Sequence, residues 1–254
     1  MLYPSSKIKD HLLDLGIAPD DTILLHGDAG IALQYIYEND TDPVVGFFNE
    51  VKSYLSKGTI LVPSFTYSAT KGQLFDVFET PSDVGLFSEK FRLLDGVVRS
   101  HHPIFSICAF GKCSPYFISA NVEDCFGEGT FFGRLYKKNV KIITLGCALE
   151  RITYVHFVEQ KHNVPYRYLK TFSAQVLHAG IHKKFDVSYF VRDLKINTEL
   201  NLSSLEREAL RQNKMLVKPF GRFKARNISS KDLFQIGSQL LREDQYALVR
   251  AFDS

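Results

Sequence analysis

The 254 residues include no tryptophan and only four cysteines. Those cysteines, at 108, 113, 125 and 147, form neither a CxxC pair nor a Cys/His zinc spacing, which excludes a disulfide framework and a structural zinc and leaves reduced, mostly buried thiols as the expectation. Long apolar runs are missing as well. Charges or prolines interrupt each one before the about 18 residues that a membrane span needs, and the start MLYPSSKIKDHLLDLGI has no basic segment leading into an apolar one. A cytoplasmic protein without membrane contact is expected. A strong charge excess is also absent: 31 basic residues against 28 acidic ones give a formal net charge of +3, and the basic clusters are short, as in KPFGRFKAR at 218–226. This is too mild for a nucleic-acid binder, yet it would attract a phosphate-bearing ligand and offers nothing to a polycation.

What is present, 45% apolar, 23% charged and 13% aromatic residues, is the composition of a soluble globular protein. SSKIKDHLLDLG (5–16) reads as a helix, with a serine near its N-cap, Ile8, Leu12 and Leu13 on one face, and Gly16 at its end. DTILLHG (21–27) reads as a strand stopped by a glycine, DAGIALQYIYE as the start of a helix, PVVGFFNEVKSYL (43–55) as helix and GTILVPSFTYS (58–68) as a strand broken by Pro63. Residues 68–85 form a long loop with a tight TPSD turn, and loops of that length usually bind something. LFSEKFRLL (86–94) is a short helix, Ile104 to Phe110 a strand, CFGEGTFFGRLYKKN (125–139) a glycine-rich turn into a helix, VKIITLGCA (140–148) the clearest buried strand, and RITYVHFVEQKH a helix. After VPYR, FSAQVLH and KKFDVSYFVRD read as antiparallel strands, and 204–214 and 230–244 as helices. No repeat or linker divides the chain. The expectation is one α/β domain over 1–254, with a central mixed sheet flanked by helices, a core over 1–168 and an antiparallel C-terminal part over 169–254.

The most informative short motif is His156 with Glu159 in TYVHFVEQKH. On a helix this spacing brings the two side chains to one face, so the pair is a base with its orienting carboxylate, two metal ligands or ordinary surface polarity. The metal reading lacks the second histidine or carboxylate pair that helical metal sites supply. HGDAG (26–30) offers either a phosphate cradle or a tight turn, with Asp28 competing against an anion. RSHHPIFS (99–106) is either an anion-binding stretch through Arg99 and its hydroxyls or a loop that satisfies its own backbone. FGEGTFFG (126–133) is a close-approach loop or a helix start capped by Thr130. Cys147, nine residues before His156, is a nucleophile candidate or core.

Taken in order, GTILVPSFTYS, FDVFETPSDVGLFSEKFR, GVVRSHHPIFSICAFG, FGEGTFFGRL and ITLGCALERITYVHFVEQ followed by VPYR resemble the aminoglycoside 3-N-acetyltransferase family, the antibiotic N-acetyltransferases. The resemblance runs over about residues 5 to 168, order and spacing together carrying its specificity. It implies an α/β fold distinct from GNAT and direct acyl transfer from acetyl-CoA to an amine on an amino-sugar compound, with no metal. It implies His156 as base and Glu159 as orienting carboxylate. It implies a CoA site formed by His26, Gly27, Asp28, Ala29, Arg99, Ser100, His102 and Ser106. On the acceptor side it implies Tyr67, Asp76, Thr80 and Glu128. The chain departs from the family where hydroxyls usually follow His26, at Thr130 and Phe131, and at Ile152–Thr153 before the histidine helix. With a net charge of +3, the expected acceptor is a less cationic amino sugar, a nucleotide-linked one for surface-polysaccharide synthesis, with an aminoglycoside as the second choice. A catalytically silent homologue that binds CoA or a sugar is the alternative. A homodimer is a further possibility, through FSICAF or the C-terminal strands.

Overall fold

The computed structural model describes residues 2–38 and 41–251. Its centre is a seven-stranded sheet in the order Met215–Phe220, Phe223–Ser229, Lys141–Leu145, Thr22–Gly27, Thr59–Pro63, Ile107–Gly111, Val98–Arg99. The three middle strands are parallel, Leu24 lying opposite both Leu61 and Ile142, and each outer pair is added antiparallel.

The apolar runs ILL and IIT recur because both faces of these strands are covered. Leu24, Leu61, Ile142 and Ile228 face one core, completed by the helices Phe131–Lys138, Val155–His162, Ser203–Arg211 and Ser230–Glu243. Their neighbours in sequence, Ile23, Leu25, Ile60, Val62 and Ile143, face the other, completed by Lys7–Asp14, Pro43–Tyr54 and Leu86–Arg92. Alternation along each strand divides the residues between the two layers. Beside this sandwich, Arg167–His178 and Ile181–Arg192 form a long antiparallel hairpin, and Leu74–Asp76 adds to it in parallel. Its two-residue turn, Ala179–Gly180, has φ of 49° and 79°, the left-handed pair whose twist matches the strands.

Several local expectations change. DAGIALQ is a 3-10 segment, Ala29–Gln34, rather than the start of an α-helix, because Tyr35–Ile36 leaves it to pair in parallel with Tyr3–Pro4. The strand expected from Ile104 begins at Ile107, since Ile104 and Phe105 donate their N–H groups to His102 Nδ1 instead of to a ladder. Ser6 occupies the first N-cap without a side-chain bond, while Ser5 Oγ donates to Glu50 Oε1 at 3.0 Å. The long loop holds a 3-10 turn, Ser68–Lys71, and the strand Leu74–Asp76. Cys108 and Cys125 are buried as expected, whereas Cys113 and Cys147 are half-exposed. Among the described residues no helix is long and apolar enough to cross a membrane.

Candidate active site

The parallel strands finish at Gly27, Pro63 and Leu145, and a cleft of about 760 Å³ opens at that end, where α/β sheets leave room for ligands. Its walls are His26–Ala29, Pro63, Phe65 and Tyr67, residues 83–88, and, after the third strand, Cys147, Glu150, Arg151, Thr153 and His156. Gly146 makes the turn after that strand at φ 66°, where a Cβ would lie 2.9 Å from the Phe223 ring. The 3-10 turn Leu149–Arg151 follows, and the helix Val155–His162 then sets His156 at the cleft. Asn163, left-handed at φ 46°, ends this helix.

His156 Nδ1 lies 2.6 Å from Glu159 Oε2. Glu159 is fully buried, and Tyr166 donates its hydroxyl to Oε1 at 2.9 Å. Arg167 Nε stands 2.7 Å from Oε2, an ion pair too bent to count as a hydrogen bond. Burial pushes the Glu159 carboxyl up, but His156, Arg167 and Tyr166 together outweigh it and hold the group below the usual carboxylate range. The ionised carboxylate keeps the imidazole proton on Nδ1 and the lone pair on Nε2. Burial, with help from Arg167, holds His156 below the ordinary histidine value despite Glu159. At neutral pH the ring is therefore an unprotonated acceptor whose tautomer is fixed, the state that general-base chemistry requires.

The other residues singled out in the sequence fall into two groups. His26, Gly27, Asp28, Ala29 and Tyr67 line the cleft with His156. Tyr67 does so from a left-handed backbone at φ 53°, a conformation uncommon for a bulky residue and often found at functional sites. Burial holds His26 neutral, down to about 4. Its Nε2, like the Oγ1 of its register neighbour Thr144, has no hydrogen-bond partner among the described residues. Asp28 Oδ1 accepts the Gly30 N–H at 2.8 Å, so the cradle formed by this turn is filled by the chain's own carboxylate.

Arg99, Ser100, His102, Ser106, Asp76, Thr80 and Glu128 are absent from the lining. Arg99 donates from Nε to Ser64 Oγ and Ser106 Oγ, from Nη2 to Ser64 O at 2.7 Å, and from Nη1 to Thr80 O at 2.5 Å. Ser100 Oγ accepts from Ile107 N. Asp76 Oδ1 accepts from Phe78 N and Glu79 N, while Thr80 Oγ1 accepts from Asp76 N. These groups are engaged in holding their own loops. Glu128 is exposed and pairs with Lys161 at 2.6 Å. Among the described residues no group of three or more His, Cys, Asp or Glu side chains could hold a metal ion. Sequence reading missed the wall residues Asp83, Phe87, Glu150 and Arg151. It also missed the support of Tyr166 and Arg167, whose one signal was the VPYR tetrapeptide just beyond the helix.

Against this geometry, the profile of the family described as aminoglycoside 3-N-acetyltransferase matches residues 40–242. The chain belongs to that family. Aminoglycoside N(3)-acetyltransferase IX of Micromonospora chalcea is 24% identical to this family member over 195 residues, 69% of this chain and 68% of the relative. Its fold is similar to that of AAC-IIIb in a binary complex with CoASH, with TM-score 0.81 at 18% identity over 96% of this chain and 97% of that one. It is also similar to that of YokD from Bacillus subtilis, with TM-score 0.79 at 18% identity over 96% of this chain and 95% of that one. The α/β architecture distinct from GNAT is thus the one observed. Family membership makes the chain a CoA-dependent N-acyltransferase with acetyl-CoA as its cosubstrate.

Proposed function

We propose that this aminoglycoside 3-N-acetyltransferase family member acetylates an amine of an amino-sugar compound, with His156 as general base and Glu159 as its orienting carboxylate. The observation that carries this reading is the buried, ionised Glu159 bonded to the cleft-lining His156 at 2.6 Å. The cleft suits a long cosubstrate: it has about 760 Å³ of space, apolar walls at Pro63, Phe65 and Phe87, and polar groups at His26, Tyr67 and Arg151.

Acetyl-CoA supplies an activated acyl carbon and a thiolate leaving group. His156 Nε2 accepts the proton of the acceptor amine as its nitrogen attacks the thioester carbonyl. Glu159 stabilises the imidazolium that results, while Tyr166 and Arg167 keep the carboxylate ionised and in place. The imidazolium then holds the proton that the departing sulfur takes up.

Asp28, Asp83 and Glu150 line the cleft against a single guanidinium, that of Arg151. This local field suits an amine although the chain as a whole carries +3. The acceptor is an amino sugar, either an aminoglycoside or a nucleotide-linked sugar for surface-polysaccharide synthesis. The latter gains support because each of the three carboxylates is already bonded within the chain.

The test is thiol release from acetyl-CoA with aminoglycosides and amino-sugar nucleotides side by side. Turnover is expected with one class and should be lost in His156→Ala, with CoA affinity held within about twofold because the side chain acts on the acceptor. Equal turnover in the variant would remove His156 as base. Tight CoA binding without transfer to any amine would favour a silent homologue.

A further inference from the structure

Every charged group of the cleft except one is committed within the chain. Asp28 Oδ1 accepts from Gly30 N, Asp83 pairs with Lys71 at 2.5 Å, and Glu150 Oε1 accepts from Leu202 N at 3.1 Å. Arg226, the basic residue that reaches the Cys147 carbonyl behind the cleft, is held by Glu206 at 2.7 Å. Arg151 differs. It lines the cleft from an exposed position on the 3-10 turn Leu149–Arg151, and its guanidinium has no ion pair or hydrogen bond among the described residues. A cavity that looks acidic by residue count therefore has a cation as its unspent charge.

At the neighbouring turn several backbone donors are already engaged, Asp28 N with Leu145 O and Ile31 N with Asp28 O, each at 3.1 Å. Asp28 already accepts the N–H of Gly30, and Phe87 seals Gly27 so closely that a Cβ there would lie 2.6 Å from Cζ. The charged side chain left uncommitted in this cleft is a planar fork of N–H donors, which matches phosphate geometry.

We propose that Arg151 is the phosphate-recognition group of the cleft, reading a phosphate carried by CoA or by a phosphate-bearing amino sugar. This rests on the acyltransferase reading above and adds to it the residue that selects an anionic ligand.

Calorimetric titration of the full chain and of Arg151→Gln tests it, with CoA, dephospho-CoA, pantetheine, glucosamine 1-phosphate and glucosamine as probes. The variant should bind at least one phosphate-bearing probe about 10- to 100-fold more weakly, the loss expected of a two-pronged charge-assisted contact. Pantetheine and glucosamine should change by less than about twofold, since an exposed side chain is removed. Weakened CoA with unchanged dephospho-CoA assigns the 3′-phosphate. Weakening of both nucleotides assigns the diphosphate, and weakening of glucosamine 1-phosphate alone assigns the acceptor. Arg151→Lys, which keeps the charge without the fork, should fall between wild type and Arg151→Gln. Unchanged affinity for every phosphate-bearing probe overturns the proposal, as does an equal loss for pantetheine or a wild-type chain that binds none of the probes. Wild-type protein that fails to bind CoA, yet binds glucosamine 1-phosphate through Arg151, would sink the acetyl-CoA reading and keep the arginine's assignment.

Discussion

Replacing Glu159 by glutamine keeps the shape of the side chain and removes its charge. An imidazolium formed on His156 in the proposed transition state then loses a counter-ion whose oxygen is 2.6 Å from Nδ1. Two unit charges with centres about 4 Å apart interact by about 4 kcal/mol at an effective dielectric constant of about 20, which corresponds to about a 10³-fold fall in kcat. The pH profile carries a second signature. Glu159 raises the His156 pKa and Arg167 lowers it. The base works when neutral, so the acid limb of kcat/KM lies below pH 6.5 in the wild type. It should move to still lower pH in Glu159→Gln and to higher pH in Arg167→Met. Losing the carboxylate alone leaves the Arg167 charge uncompensated, at about 3–5 kcal/mol of stability, so the double variant Glu159→Gln/Arg167→Met serves as the folded control. Steady-state thiol release from pH 5 to 9, with thermal melts of each variant, is the assay. A folded double variant whose kcat stays within about tenfold of the Arg167→Met single variant would refute the electrostatic role of Glu159.

Two further outcomes follow from local geometry. Gly27→Ser should destabilise the fold by about 1–3 kcal/mol, because its Cβ would stand 2.6 Å from Phe87 Cζ and that ring is backed by Phe48 with centroids 4.5 Å apart. Urea denaturation should show recovery of the loss when Phe87→Leu is added, and no recovery would refute the clash. Ala179→Gly should stabilise the hairpin by about 0.5–1 kcal/mol, since the left-handed turn strains an alanine by slightly more than the glycine costs in the unfolded chain. A thermal melt no higher than wild type would count against that strain.

Much of the fold was legible because its strands and helices carry their own periodicity. KIITL has adjacent isoleucines because Ile142 and Ile143 are buried on opposite faces, and the hairpin was visible in FSAQVLH and KKFDVSYFVRD as antiparallel strands. The segment after Asp28 was misread as an α-helix start because no local pattern announces that Tyr35–Ile36 will pair with Tyr3–Pro4. At the site, the three-residue spacing of His156 and Glu159 was readable on one helix, whereas Tyr166 and Arg167 reach the same carboxylate from beyond it. RSHHPIFS shows the opposite difficulty. Its polar composition suggested a binding surface, yet Arg99, Ser100 and Ser106 direct their hydrogen bonds to neighbouring chain segments. Residue type alone does not tell a solvent-facing guanidinium such as Arg151 from one enclosed by carbonyls such as Arg99.

The order of strands also has a consequence for synthesis on the ribosome. Lys141–Leu145 pairs on one side with Thr22–Gly27, made long before it, and on the other with Phe223–Ser229, made long after. Until the later strand emerges, the nascent chain presents an apolar strand with a free edge, the kind of template that promotes misassociation. The helix that carries His156 and Glu159 has already been made by then, so this pair is translated early and enclosed late. Ribosome-bound chains stalled before residue 223 should bind chaperones or aggregate, and full-length chains stalled on a C-terminal linker long enough to carry residues 223–243 out of the exit tunnel should not.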